Sequence, residues 1–450
     1  MCESYDLVIR NGQVMMPCGL VEAEIGVRGG KVVSLGALGR AVARETFDAA
    51  GLTVLPGVID TQVHFREPGL ENKEDIAHGT KAAIKGGVTA IFEMPNTSPL
   101  TLDEATLNQK LNIASRTAWC DYAFFMGGNH ENAHLLAELE RLPGCAGVKI
   151  FMGSSTGTLL AKDDEVIMAV LANGTRRVSV HAEDEDRLVE RQPIAIDADG
   201  PVAHPHWRDV ESAVKATKRL VKLARLAGRR VHVLHISSAD EMDILAEHKD
   251  LVTVEVTLNH LTLVAPDCYE RLGAFAQMNP PVRDERHLEG LWAAIQNGVV
   301  DVFGSDHAPH TTEEKQRPYP ASPSGIPGVQ TSLPLLLDHM NKGRLSLERL
   351  VDLTSAGPQR IFGIAGKGRI AVGYDADFAI VDLAAKRTIT NKWIASKCGW
   401  TPYDGMAVTG WPIATVVRGM VVMRDDVILG EPEGEAVRFI ETFVEEKKSC

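Results

Sequence analysis

The 450-residue sequence contains no uninterrupted apolar run approaching the ~20 residues a membrane-spanning helix needs, so a bilayer span is not expected. It lacks an N-terminal basic segment followed by an apolar one. The chain opens MCESYDLVIRNGQVMMPCG, which argues against secretion. No C-x-x-C pair occurs among the seven cysteines (Cys2, Cys18, Cys120, Cys145, Cys268, Cys398 and Cys450), and their number is odd. They read as reduced thiols of a cytoplasmic protein, not as a disulfide framework. Positive charge is in deficit, with 47 Lys and Arg against 60 Asp and Glu and a formal net charge of −13. That balance weighs against nucleic acid as the main partner. A small anionic substrate stays open, provided a local cationic pocket exists. Low-complexity tracts and short-period repeats are also missing, and 44% hydrophobic with 24% charged residues is an ordinary globular composition.

What is present is a coarse rhythm. Eight short, β-branched apolar runs recur: VLPGVID (54–60), TAIFEMP (89–95), DYAFFMG (121–127), GVKIFMG (147–153), RVSVHAE (177–183), RVHVLHI (230–236), VTVEVTL (252–258) and VVDVFGS (299–305). Helical stretches lie between them. TLDEATLNQKLNIASRTA opens with a capping box from Thr101 to Glu104, and ESAVKATKRLVKLARLAG carries apolar residues at helical spacing and stops at glycine. Strands alternating with helices predict parallel βαβ units, and eight of them suit an α/β fold of the (β/α)8 barrel type. The two ends differ. Residues 4–53 and 369–425 alternate in a β pattern with G-G and N-G turns. We expect a β domain of sandwich type built from residues 1–53 and 369–450, interrupted by a barrel over 54–368. A separate domain at each end is the competing reading.

In such a barrel, reactive groups sit where strands end at the C-terminal face. The first strand ends in Gln62 and His64, with Arg66 next on the same alternation. Lys149 lies on the fourth, His181 ends the fifth, His235 the sixth, and Asp306 the eighth. Each alone has a plain structural explanation: a lone strand-end histidine is more often hydrogen-bonded than ligating. His232 and His235 stand three apart, which places them on opposite faces of a regular strand, and the later one is the better candidate. The set is stronger than its members. Imidazoles and a carboxylate converging from several strands suit Zn2+ or a similar divalent ion.

The motifs VHFREPG (63–69), EMPNT (93–97), VKIF (148–151), VHAED (180–184), MNPPVR (278–283) and GSDHAPHT (304–311) make the chain resemble the amidohydrolase superfamily. In detail it is similar to the dihydroorotases of the long, barrel-plus-β-domain type, over nearly its whole length. The resemblance implies hydrolysis of dihydroorotate to N-carbamoyl-L-aspartate, reversed in pyrimidine biosynthesis. It implies His64, His181, His235 and Asp306 as ligands of one or two Zn2+ ions, with Lys149 as a carboxylated bridging lysine. Asp306 would act first as base, then as acid. Arg66, Asn96 and His310 would clamp the substrate carboxylate, and Asn279 would contact the ring, with PSGIPGVQ (323–330) presenting backbone groups. The planar guanidinium fork of Arg66 suits a carboxylate. The plain alternative for Arg66 is a salt bridge to Glu67 or Glu71. As partners the resemblance implies a homodimer and association with aspartate transcarbamoylase.

Two positions depart from the family pattern. Gln62 stands where histidine is usual, and a neutral amide oxygen is a weaker donor to zinc than imidazole. Asn259, in TLNHL, replaces the first of a usual histidine pair. Rival readings are a hydantoinase- or allantoinase-like hydrolase, against which the carboxylate clamp speaks, and an inactive homologue that scaffolds aspartate transcarbamoylase.

Overall fold

A computed structural model describes residues 4–155 and 159–442; Cys2 and Cys450 lie outside the described residues. Eight parallel strands pair in chain order. We number them β1 (Val58–Val63), β2 (Val88–Glu93), β3 (Asp121–Gly127), β4 (Cys145–Phe151), β5 (Val178–His181), β6 (Val231–Val233), β7 (Val252–Val256) and β8 (Val302–Phe303). A parallel bridge between Val63 and His307, with His64 N donating to His307 O at 2.7 Å, brings the chain after β8 back to β1. Every residue of β1 to β4 is buried, as expected of strands covered on both faces and as the unbroken apolar runs predict.

The helices between strands follow local signals. Val210–Ala227 starts at Asp209, whose side chain accepts from Ser212 N, and stops at Gly228 in the left-handed region (φ 63°). Its inner face buries Ala213, Ala216, Leu220 and Ala224 against the barrel. Glu104–Thr117 is capped differently from the sequence expectation. Asp103, not Thr101, is the N-cap, and the reciprocal partner is Thr106 rather than Glu104. A carboxylate is as good an N-cap acceptor as a hydroxyl, and here it starts the helix two residues later.

The ends of the chain meet in common sheets. A seven-stranded sheet runs 427–428, 420–424, 407–417, 378–388, 53–56, 13–16 and 19–22, so four strands from the C-terminal part and three from the N-terminal part form one hydrogen-bonded layer, joined where 378–381 pairs with 53–56. A four-stranded sheet of residues 31–36, 24–28, 4–10 and 42–48 packs nearby, and Leu7, Ile25, Val27, Val54, Phe378 and Ile380 share one apolar core between the two. The run VLPGVID is divided: Thr53–Pro56 belongs to the terminal sheet and Val58 begins the barrel. Gly57 is the joint, because a Cβ there would lie 2.1 Å from Thr89 Oγ1. Below the barrel, buried Lys367 pairs with Asp121 of β3 and with Asp375 (3.2 Å) and Asp377 (2.7 Å) of the terminal segment. Among the described residues, no helix is long and apolar enough to cross a membrane.

Candidate active site

At the C-terminal ends of the strands, Gln62, His64, Arg66, His181, His235 and Asp306 line one cavity. Three of them hold backbone conformations that side chains other than glycine rarely adopt: Arg66 (φ 66°), His235 (φ 38°) and Asp306 (φ 46°). Such residues cost of order 1–3 kcal/mol each and gather where the surroundings over-determine a functional geometry. The left-handed turn at His235 also corrects a sequence expectation. It breaks the strand alternation, so His232 and His235 both reach the barrel interior. His232 sits one layer deeper, hydrogen-bonded to Thr253 Oγ1 (2.9 Å) and 3.5 Å from Glu255, while His235 reaches the cavity.

The polar groups form two pairs. Asp306 Oδ1 accepts from Gln62 Nε2 at 3.1 Å and lies 3.2 Å from His64 Nε2. His181 Nδ1 faces His235 Nε2 at 3.0 Å. Burial pushes all three imidazoles below the ordinary histidine range, so they are neutral. Lys149 lies behind the cavity wall, fully buried, 4.3 Å from the Phe151 ring centroid, with no hydrogen-bond partner for Nζ among the described residues. Burial lowers its pKa to about 7. Asp60 supports the arrangement from below: its Oδ1 accepts from Gln62 N and Ser305 N, tying β1 to the turn that carries Asp306.

A second corner of the cavity holds Arg66. It is 1% exposed, and burial lowers its pKa to about 10. Nε donates to Pro309 O (3.3 Å), and Nη1 is buried without a partner among the described residues. Among the described residues it forms no ion pair. The alternative pairing is absent, since Glu67 accepts from Ile76 N and Glu71 from Gly69 N. Asn96 Oδ1 is bonded to His64 Nδ1 (2.8 Å), between the two corners. His310 Nε2 lies 3.4 Å from Arg66 Nη2 and donates to Ser324 O (3.0 Å); burial takes the ring pKa to about 3. Phe151, Ser155, Asn279, Ala308, Ser324 and Gly325 complete the wall. Gly325 (φ 148°) is required, because a Cβ would meet Ala308 O at 2.3 Å. The inner cavity, about 20 Å³, has room for a single water. A polar vestibule of about 370 Å³, lined by Lys73, Arg208, Asn279 and His310, adjoins it.

Comparison with known proteins gives the family. Residues 53–422 match the amidohydrolase family. The dihydroorotase of Pyrococcus furiosus is 35% identical over 96% of this chain and 96% of its own, and that of Pyrococcus abyssi is 37% identical over 93% and 95%. Among solved structures, the L-hydantoinase (dihydropyrimidinase) from Arthrobacter aurescens superposes with a TM-score of 0.90 at 32% identity, covering 96% of this chain and all of that one. The dihydropyrimidinase from Brevibacillus agri gives 0.90 at 30%, covering 98% and 99%. The chain belongs to the amidohydrolase family. It is a cyclic amide hydrolase.

Two separate pairs of donors in this amidohydrolase have the chemistry of divalent-cation ligands. His64 Nδ1 is engaged by Asn96 Oδ1, so neutral His64 turns the Nε2 lone pair toward the Asp306 carboxylate. A divalent cation between the two would satisfy both. Gln62 Oε1 and His235 Nδ1 are buried and have no partner among the described residues. Among the described residues, no three His, Cys, Asp or Glu side chains converge on one point, so the set stands as two pairs.

Sequence reasoning missed several groups of this amidohydrolase. Glu183, within VHAED, lies 2.9 Å from His181 Nε2 and is held by Arg208. Burial pushes its carboxyl upward, but Arg208 and His181 outweigh that and leave it far below the ordinary range. Glu255 is buried beneath the site, accepts from Thr61 Oγ1, and is raised by burial to about 8. Lys73 Nζ is 3.2 Å from His310 Nδ1. Only Glu183 had a signal, its place two residues after a strand-end histidine. Asn259 lies off the cavity wall, with Oδ1 accepting from Tyr403 Oη at 2.7 Å.

Proposed function

We propose that this chain is a dihydroorotase, interconverting dihydroorotate and N-carbamoyl-L-aspartate in pyrimidine biosynthesis. One observation carries the reading: a buried guanidinium, Arg66, with an unpartnered Nη1 and no ion pair among the described residues, in the wall of the cavity that holds Asp306. A buried guanidinium without a direct ion pair among the described residues, with carboxylates acting on it only at longer range, favours an anionic ligand at this corner. Dihydroorotate carries a carboxylate; hydantoin does not. The curated relatives named dihydroorotase support the same reading.

The chain's residues divide the work. Arg66 binds the substrate carboxylate, flanked by His310 and Asn96. Asp306 Oδ2, without a protein partner among the described residues, takes the proton of the attacking water and returns it to the ring nitrogen. Gln62 holds Oδ1 and so aims Oδ2. One or two Zn2+ ions, held by His64, His181, His235, Asp306 and a carboxylated Lys149, would act as Lewis acid toward water and the ring carbonyl. Glu183 and Asn96 orient the imidazoles. Because the inner cavity holds about one water, the ring also occupies space now belonging to the vestibule. A cytoplasmic homodimer, and association with aspartate transcarbamoylase, go with the same reading by kinship; size-exclusion chromatography with and without that partner tests them.

The second reading, a hydantoinase, has the structural neighbours in its favour. Parallel assays of purified, metal-analysed protein with dihydroorotate and hydantoin separate the two. Turnover of neither, despite bound metal, would favour an inactive homologue.

A further inference from the structure

Asn279 lines both the inner cavity and the vestibule, and its amide can face them with either its oxygen or its nitrogen. Which end it presents determines whether the site recognises an acceptor or a donor on the ring. The answer lies behind the wall, in a histidine that sequence reasoning did not single out. His204 begins the short helix His204–Trp207 and is fully buried. Its Nε2 lies 3.1 Å from Met278 O and 3.0 Å from Asn279 Oδ1. A backbone carbonyl can only accept, so Nε2 carries the proton, and the amide atom sharing it must be the oxygen.

The opposite ring nitrogen is consistent with that tautomer. Burial, followed by the charge of Arg208, lowers the ring pKa to about 3, so the imidazole is neutral and Nδ1 is an acceptor. Tyr319 Oη lies 3.3 Å from Nδ1, and burial raises its hydroxyl pKa, leaving it a donor. The polarity of the chain is therefore fixed from end to end: Tyr319 O–H to His204 Nδ1, and His204 Nε2–H to Asn279 Oδ1. Asn279 Nδ2 has no protein partner among the described residues.

We propose that His204, oriented by Tyr319, is a positioning residue that turns the Asn279 amide nitrogen toward the substrate, so that the subsite takes a carbonyl oxygen and rejects an N–H. The proposal rests on the reading that Asn279 contacts the substrate, and it names the chemistry recognised there. Loss of the His204 donor leaves the amide free to present its oxygen, which would face the substrate carbonyl acceptor to acceptor.

The test is steady-state kinetics of the metal-loaded enzyme with whichever cyclic amide the wild type hydrolyses. His204→Leu should raise KM about tenfold while kcat changes less than about threefold. His204→Gln, whose side-chain amide can supply an N–H to Oδ1, should restore KM to within about threefold. Tyr319→Phe should fall between. Asn279→Ala should raise KM at least as much as His204→Leu, and the double variant should add nothing further. An unchanged KM in folded His204→Leu, or equal losses in the Leu and Gln variants, would overturn the proposal. If His204→Leu does not fold, Tyr319→Phe with unchanged KM would do so. An unchanged KM in Asn279→Ala overturns it through its premise. If the wild type hydrolyses hydantoin and not dihydroorotate, the dihydroorotase reading fails, while this proposal is still decided on hydantoin.

Discussion

Arg66 and Gln62 carry the sharpest expectations at the level of single residues. Arg66→Met, similar in length but uncharged, should lower kcat/KM for dihydroorotate by about 10²–10³-fold, mostly through KM, since it removes a charge-assisted pair to the carboxylate. The same variant should leave any residual hydantoin turnover within about threefold, so the ratio between the two substrates is the quantity to measure. Gln62→His replaces an amide with an imidazole beside Asp306 and His64. It should raise the metal bound per chain, read by elemental analysis after dialysis against a weak chelator. Equal metal content in the two proteins would mean that Gln62 does not limit occupancy. Much at this scale was legible in the sequence: strand ends and motif context place His64, His181 and Asp306 at one cavity, though not their division into two pairs. His235 was legible too, but the reason was not, because a left-handed φ cannot be read from alternation. Glu255 and His204 were not legible at all, since their partners Thr61 and Asn279 are 194 and 75 residues away.

Among the elements, the turn after β2 shows how the fold holds the site. Glu93 ends that strand, and Lys110 of the helix Glu104–Thr117 reaches beneath it, Nζ to Glu93 Oε2 at 2.5 Å and to Met94 O at 3.1 Å. Both side chains are at most 1% exposed. The pair fixes the start of the loop carrying Asn96. Lys110→Met should therefore destabilise by about 3–5 kcal/mol, because Glu93 is left buried and unpaired. Thermal melts would read this, and a loss under about 1 kcal/mol would contradict it. Lys110→Met with Glu93→Leu should recover most of the stability but not the Asn96 position, seen as a persistent rise in KM. The eight strands were legible from their apolar runs, and the helix Val210–Ala227 from its spacing and terminal glycine. Helix Glu104–Thr117 was legible as an element but not at its cap. Thr101 and Asp103 both offer side-chain oxygens, and only the packed structure selects Asp103.

For the whole molecule, the interlock of barrel and terminal sheets is the main feature. Lys367 compensates Asp121, Asp375 and Asp377 across the joint, with Arg418 and Lys31 as further partners. Lys367→Met leaves buried carboxylates short of positive charge, which raises their pKa values. The folded state then binds more protons than the unfolded one, so stability falls as pH rises. The variant's melting temperature should accordingly climb as pH is lowered from about 7 to about 5.5, relative to the wild type. A parallel pH profile for the two proteins would show that Lys367 is not what balances these groups. That both termini build one sheet was expected from the resumed β pattern after residue 369. The division of the run VLPGVID at Gly57 was not, because a strand that changes sheets looks continuous in sequence.

The central claim, a carboxylate-recognising cyclic amide hydrolase, is tested most directly by one paired assay: purified, metal-analysed protein with dihydroorotate and with hydantoin, each also with Arg66→Met. The account predicts turnover of dihydroorotate well above hydantoin in the wild type, and collapse of that preference in the variant. Hydantoin turnover equal to or above that of dihydroorotate, or a preference that survives the loss of Arg66, would contradict it.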